Sequence, residues 1–143
     1  YAYNKSYSAG YLYGAIKRLD AHDEGIVSSL YLCFALKEEA PLLSDYLAYY
    51  CESGGFNHQI HRYAQEGARN HGLLNVATSD FFAMTMPLPS PQQQARVVEI
   101  LNASSRELTL LRGTLQHLKD QKRGLMQKLL TGQWRIQPSS SQE

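Results

Sequence analysis

No proline interrupts the chain between Pro91 and Pro138, and within that stretch positions 97, 101, 104, 108, 111, 115, 118, 122, 125 and 129 step by alternating four and three residues. They hold Val, Leu, Ser, Leu, Leu, Leu, Leu, Lys, Leu and Leu, so eight of the ten are aliphatic. A spacing of about 3.5 residues kept up for this long is the pattern of a coiled-coil seam, not of a helix lying on a globular core. An unbroken helix from Gln92 to Leu130 would be about 58 Å long at about 1.5 Å per residue, more than the width of a small domain. Ser90 suits its N-cap and Pro91 its first turn, while Lys128 in the last turn and Gly132 beyond it suit its end. Gly113 and Gly124 each weaken such a helix by about 1 kcal/mol relative to Ala, so the pattern predicts a helix that needs a partner to pack on.

What precedes Pro91 has a different character. With 143 residues in all, 43% of them hydrophobic and 19% charged, there is material for one modest globular core and little more. Residues 1–90 hold six Lys or Arg against nine Asp or Glu, net −3, whereas residues 91–143 hold eight against four, net +4. The basic part suits an acidic partner or nucleic acid, and the acidic part cannot hold DNA by charge alone. The segment "GIVSSLYLCFAL", residues 25–36, is rich in β-branched and aromatic residues and reads as a buried strand; "GYLYGAIKRL" before it reads as another strand or an extended loop. Leu43, Tyr46, Leu47, Tyr50 and Cys51 form one helical stripe ended by Gly54 and Gly55, and Phe56, Ile60 and Tyr63 a second, shorter one that Gly67 terminates. "GARNHG" is then a loop, "LLNV" a short strand, Ser79 or Thr78 the cap of a turn carrying Phe81 and Phe82, and "AMTMPLP" extended. Cys33 and Cys51 are too few for a disulfide framework and are expected to be reduced and buried. The chain opens on Tyr1, which suggests a fragment or a processed product. With no apolar run long enough to span a bilayer and no leader-like start, the cytoplasm is the expected compartment and no membrane is expected as a partner.

Several chemistries find no motif: there is no GxxxxGK[ST] loop, no GxSxG elbow and no Asn-Pro-Pro-aromatic run of the amino methyltransferases. His58 and His61 are i and i+3 on a helix, but no CxxC accompanies them, so no metal site is expected. Nucleic-acid contact has better material. "YAYNKSYSAGYLYGAIKR" interleaves five tyrosines with Asn4, Lys5, Lys17 and Arg18, and "HQIHRYAQEGARNHG" offers His58, His61, Arg62, Arg69, Asn70 and His71 around a glycine-containing loop. Arg and Lys bridge to phosphates or guanine edges, and Asn takes adenine in a bidentate pair. Against this stands the ordinary role of such tyrosines as half-buried strand residues and of loop arginines as solvated charges.

The succession "GIVSSLYLCFAL", "LSDYLAYYCES", "FNHQIHRYAQEGARNHGLLNVATSDFFAMTMPLPSPQQQARVVEILN" and "LKDQKRGLMQKLLTGQWRI" resembles the C-terminal half of the DNA specificity subunit of type I restriction-modification enzymes. Its sharpest parts are "MPLPSPQQQARVVEIL" and "LKDQKRGLMQKLLTG"; Gln92, Gln93 and Gln94 stand where the family shows a Glu-Gln pair. The resemblance implies an α+β chain: a small mixed target recognition domain, truncated at its N-terminus, over residues 1–90, one long coiled-coil spacer helix over 91–132, and a tail over 133–143 whose end is disordered. It implies a non-catalytic subunit that reads half of a bipartite site in double-stranded DNA and positions the methyltransferase and restriction subunits. S-adenosylmethionine would belong to the partner methyltransferase and no cofactor to this chain. The spacer helix would pair antiparallel with that of the same full-length subunit or of a second copy. Val97, Leu101, Leu108, Leu111, Leu115, Leu118, Leu125, Met126, Leu129, Leu130 and Trp134 would be its apolar partner contacts, with Lys122, Arg123, Lys128 and Arg135 on the rim. The competing expectation is a coiled-coil structural or adaptor protein that does not touch DNA.

Overall fold

A computed structural model of the chain describes residues 1–6, 9–66 and 72–136. The fold is mixed α and β. Three short strands, β1 (Ala2–Asn4), β2 (Ala15–Lys17) and β3 (Leu32–Cys33), form an antiparallel sheet in the order β2-β1-β3. The helices α1 (Ser44–Glu52) and α2 (Asn57–Tyr63) follow, then a two-stranded ribbon of β4 (Gln65–Glu66) and β5 (Leu74–Asn75), the short helix α3 (Thr78–Ala83), and α4 (Pro91–Leu130). Two compact units result, Tyr1–Leu101 and the residues from Asn102 onward. The first three turns of α4 thus belong to the first unit. Among the described residues no helix is long and apolar enough to cross a membrane.

Strand alternation decides which side of the sheet is core. In Ala2-Tyr3-Asn4 and Ala15-Ile16-Lys17 the only large apolar residue is the middle one, and the register sets Tyr3 opposite Ile16 on one side and Leu32 on the other. That row is buried, together with Ile60 of α2, Val76 and Phe81 of α3. Tyr3 stacks on Phe81 with ring centroids 5.0 Å apart, and its hydroxyl donates to the Tyr13 carbonyl at 3.0 Å. Burial pushes the Tyr3 phenol up to about 12. Gly14, at φ +75°, makes the β1–β2 connection possible, since any Cβ there would run into the Asn4 carbonyl and lie 2.9 Å from the Tyr3 ring.

Four expectations are corrected. The segment 25–36 is not a buried strand: its strand is Leu32–Cys33, continued by the paired backbone hydrogen bonds of Phe34 with Tyr1, and Ile26, Val27 and Leu30 are exposed. The cause lies at Ser28, whose carbonyl accepts from the Tyr31 amide at 3.0 Å and whose hydroxyl accepts from the Leu30 amide at 3.3 Å, a local turn that takes the donors a ladder would need. Helix α2 stops at Tyr63, four residues before Gly67, because Ala64 turns extended and leads into the β4–β5 ribbon. Helix α3 has no side-chain cap from Ser79 or Thr78; Ala77 occupies the N-cap. The cysteines also part company. Cys51 is half-buried against the core, where desolvation pushes its thiol up to about 11, but Cys33 points out of the sheet and is exposed.

The start of α4 is held by glutamines. Ser90 and Gln93 cap each other: the Ser90 amide donates to Gln93 Oε1 at 3.0 Å, and the Gln93 amide to Ser90 Oγ at 3.4 Å. Gln94 is completely buried and fully bonded, accepting from the Leu43 amide at 2.8 Å and donating to the carbonyls of Pro41 at 2.9 Å and Pro89 at 2.8 Å. One side-chain amide thereby joins α4 to the lead-in of α1. A second amide works similarly: Gln59 of α2 donates to the Thr85 carbonyl at 2.6 Å and accepts from its amide at 2.8 Å, pinning the extended segment after α3.

Replacing Gln94 by Ala leaves one amide and two carbonyls without partners, and urea unfolding should show a loss of about 2–4 kcal/mol. Gln94→Glu should be at least as harmful near neutral pH, because it sets a carboxylate against two carbonyl oxygens. Iodoacetamide at about pH 8 should modify Cys33 well before Cys51, read by intact-protein mass spectrometry, since the Cys51 thiol remains neutral there and is shielded.

Candidate nucleic-acid interface

The same alternation that buries Tyr3, Ile16 and Leu32 turns Ala2, Asn4, Ala15, Lys17 and Cys33 to the opposite face of the sheet. Small residues there leave a groove of ≈430 Å³, walled by Tyr1 and Tyr31 and by Leu19 and Val27 from the β2–β3 loop. Three of the expected DNA contacts meet at it, Asn4, Lys17 and Arg18. Lys17 is exposed, with Nζ 6.0 Å from the centroid of the Tyr11 ring, and it also lines a second groove of ≈270 Å³ between residues 9–17 and the α1–α2 junction. A cation between two grooves, with aromatic rings beside it, can engage a phosphate or stack near a base.

Arg18 and Lys5 are otherwise employed. The Arg18 guanidinium donates through Nη1 to Asp45 at 2.6 Å and Ser44 Oγ at 2.9 Å, and through Nε to Asp20 at 2.5 Å. Those hydrogen bonds, that to Asp45 foremost, hold it firmly protonated, but they also neutralise it. The effect is to tie the end of β2 to the first turn of α1. Lys5 sends Nζ to the Val76 carbonyl at 2.8 Å, bridging the end of β1 to the segment before α3. Among the described residues the Asn4 amide nitrogen has no hydrogen-bond acceptor, while its Oδ1 accepts from the Ser6 amide at 3.0 Å. Beside the groove the loop residues Asp20, Asp23 and Glu24 are exposed, so a phosphate approaching Lys17 meets carboxylates on one flank.

The remaining contacts separate into two groups. His58, His61 and Arg62 are exposed on α2, with the His61 ring edge-on to Tyr13 at 5.6 Å, which joins this helix to the tyrosine segment of the second groove. Arg69, Asn70 and His71 lie outside the described residues. Among the described residues no group of His, Cys, Asp or Glu is arranged to hold a metal ion.

The expected partner contacts are exposed almost throughout. Leu108, Leu111, Leu115, Leu118, Leu125, Met126, Leu129, Leu130 and Trp134 all face solvent, as does Val97; Leu101 alone of the set is half-covered. Val98 and Gln94, not singled out from the sequence, are the buried residues of α4. Near the end of the helix Leu118, Gln121, Lys122, Leu125, Met126, Leu129 and Leu130 border one apolar groove of ≈430 Å³. Gly132 at φ +74° closes the helix, the Trp134 amide returns to the Lys128 carbonyl at 2.9 Å, and Lys128 Nζ sits 4.3 Å above the Trp134 ring.

If the groove face engages duplex DNA, Lys17→Ala should weaken that binding about uniformly across sequences and lower the log–log salt slope by about 1, with thermal stability unchanged. Lys5→Met and Arg18→Ala should act the other way, costing about 1–2 kcal/mol in urea unfolding before any effect on DNA is seen. Fluorescence anisotropy across a salt series, paired with the unfolding curves, separates the two outcomes. Compared with protein families, with curated proteins and with solved structures, the chain matches none of them.

Proposed function

We propose that the chain is the recognition head and spacer helix of a type I restriction-modification specificity subunit: it reads half of a split site in double-stranded DNA and carries no catalytic group itself. The methyl donor S-adenosylmethionine would be bound by the partner methyltransferase, and the restriction subunit would join the full complex in the cytoplasm. One observation carries the reading above the others, the leucine seam of α4 standing exposed from Leu108 to Leu130 after a small mixed head. A helix with that much solvent-facing apolar surface is a docking element, because monomeric proteins rarely leave such stripes uncovered. The groove holding Asn4 and Lys17 supplies the head with a surface of suitable chemistry, with His58, His61 and Arg62 of α2 as further contacts.

A second reading is favoured by charge. With Lys5 and Arg18 bonded internally and acidic residues at 20, 23 and 24, the head is a poor electrostatic match for DNA. On this reading the chain is a coiled-coil adaptor and the head only a platform.

One complex distinguishes them. The chain assembled with a type I methyltransferase subunit should select a discrete sequence from a random duplex pool, and should bind it at least about a hundredfold more tightly than bulk DNA near physiological salt. Enrichment of no sequence at any salt would leave the adaptor reading. Leu111→Asp with Leu115→Asp should abolish assembly with the methyltransferase in sedimentation velocity while leaving the unfolding of the first unit intact.

A further inference from the structure

The charges around the α4 seam say what kind of helix covers it. From Asn102 to Ile136 there are seven Lys or Arg and two Asp or Glu, net +5, and one of the two acids, Asp120, is paired with Arg123 at 3.0 Å. Lys122 stands on the seam itself, among Leu118, Leu125 and Leu129 at the rim of the apolar groove. Once another helix covers this stripe, the Lys122 ammonium needs an anion across the interface or is left desolvated and unpaired. A lysine at such a position sets register at some cost in stability.

A second copy of the chain cannot provide that anion from its own seam. Positions 97, 101, 104, 108, 111, 115, 118, 122, 125 and 129 contain no carboxylate, so none meets Lys122 in any register. Parallel and in register, Lys122 falls on Lys122. Antiparallel with Leu115 opposite Leu118, Lys122 falls on Leu111 and Arg112 lies beside Lys119. The positions flanking the seam offer Glu107 alone against Arg112, Lys119 and Lys128.

We propose that α4 pairs with a different helix, one whose leucine-type seam carries a carboxylate facing Lys122 and whose edge presents carboxylates to Arg112 and Lys119. The inference rests on α4 being a partner-binding spacer helix, and of the two occupants compatible with that role it disfavours the second copy.

The test uses the full chain and two synthetic leucine-seam helical peptides, identical except for Glu or Lys at the facing seam position and along the edge. By fluorescence anisotropy the Glu peptide should bind at least about tenfold more tightly, with the advantage shrinking from about 50 to about 500 mM salt. Lys122→Glu should reverse the preference. Lys122→Met, checked for helix content by circular dichroism, should reduce the preference and raise self-association in sedimentation velocity. Equal affinity for both peptides overturns the proposal, as does a homodimer that the Glu peptide fails to displace. So does a random duplex that competes with the Glu peptide and is lost in Lys122→Glu, an outcome that would assign the face to nucleic acid. Neither methyltransferase nor site-specific DNA enters the assay, so failure of DNA recognition and failure of this pairing are read separately.

Discussion

A single buried amide, that of Gln94, ties the first turn of α4 to the segment before α1 within the first unit. Its oxygen and nitrogen are shared among three backbone groups from two separate chain segments, the lead-in to α1 and the residue just before the α4 cap. Backbone groups at a buried helix approach need partners as strictly as those inside a ladder, and the apolar residues around them cannot serve. Val98, one turn further on, adds burial but no direction. The direction comes from the amide, because three hydrogen bonds to fixed backbone atoms leave it little freedom to turn. The head therefore depends on a polar residue at a fully buried point, where hydrogen bonds fix the start of α4 beside the packing of Val98.

A similar economy governs the sheet. Strands of two or three residues contribute few ladder bonds, so the face they bury does most of the stabilising, through the row of Ile16, Tyr3 and Leu32 and the stacking of Tyr3 on Phe81. The opposite face is then free of packing duties. Ala2, Ala15 and Cys33 leave space there, and Asn4 and Lys17 bring polar atoms to it. Two of the neighbouring basic residues in the sequence instead serve the fold: Lys5 holds the end of β1 to Val76, and Arg18 holds β2 to α1. In so small a head, cations that reach a backbone carbonyl or a carboxylate are worth more as struts than as free charge, and among the described residues lining the groove Lys17 is left as the accessible cation.

Legibility in the sequence followed periodicity. The 40-residue α4, with its start at Pro91 and its stop at Gly132, was readable because a long repeat averages out single exceptions such as Ser104 and Lys122. Helices α1 and α2 were readable for the same reason over shorter stretches. Segment 25–36 misled because its composition favours strand while Ser28 bends the backbone locally, and composition does not register a hydroxyl that captures amides two residues on. Gln94 could not be singled out, since three consecutive glutamines look alike until one is buried. The capping pair of Ser90 and Gln93 was half legible: the cap was evident, and its reciprocal glutamine lay in the very run that departs from the Glu-Gln of the resembling family. Of the candidate site, residue types were legible and their availability was not, because whether Lys5 or Arg18 is free depends on Val76 and Asp45, which are distant in sequence.

Apolar contact alone would make every leucine stripe a partner for every other, including its own copy, and the free energy per contact would not discriminate. A lysine in the stripe changes that. Buried pairing of Lys122 with a carboxylate is at best nearly neutral once desolvation is counted, but leaving it unpaired is costly, so the difference between partners exceeds the strength of the pair itself. Gln94 works by the same asymmetry within the head: hydrogen bonds contribute little when made, and their absence from a buried site is expensive. The fold and the proposed pairing both draw specificity from the cost of an unsatisfied polar group, placed once in the core and once on the seam.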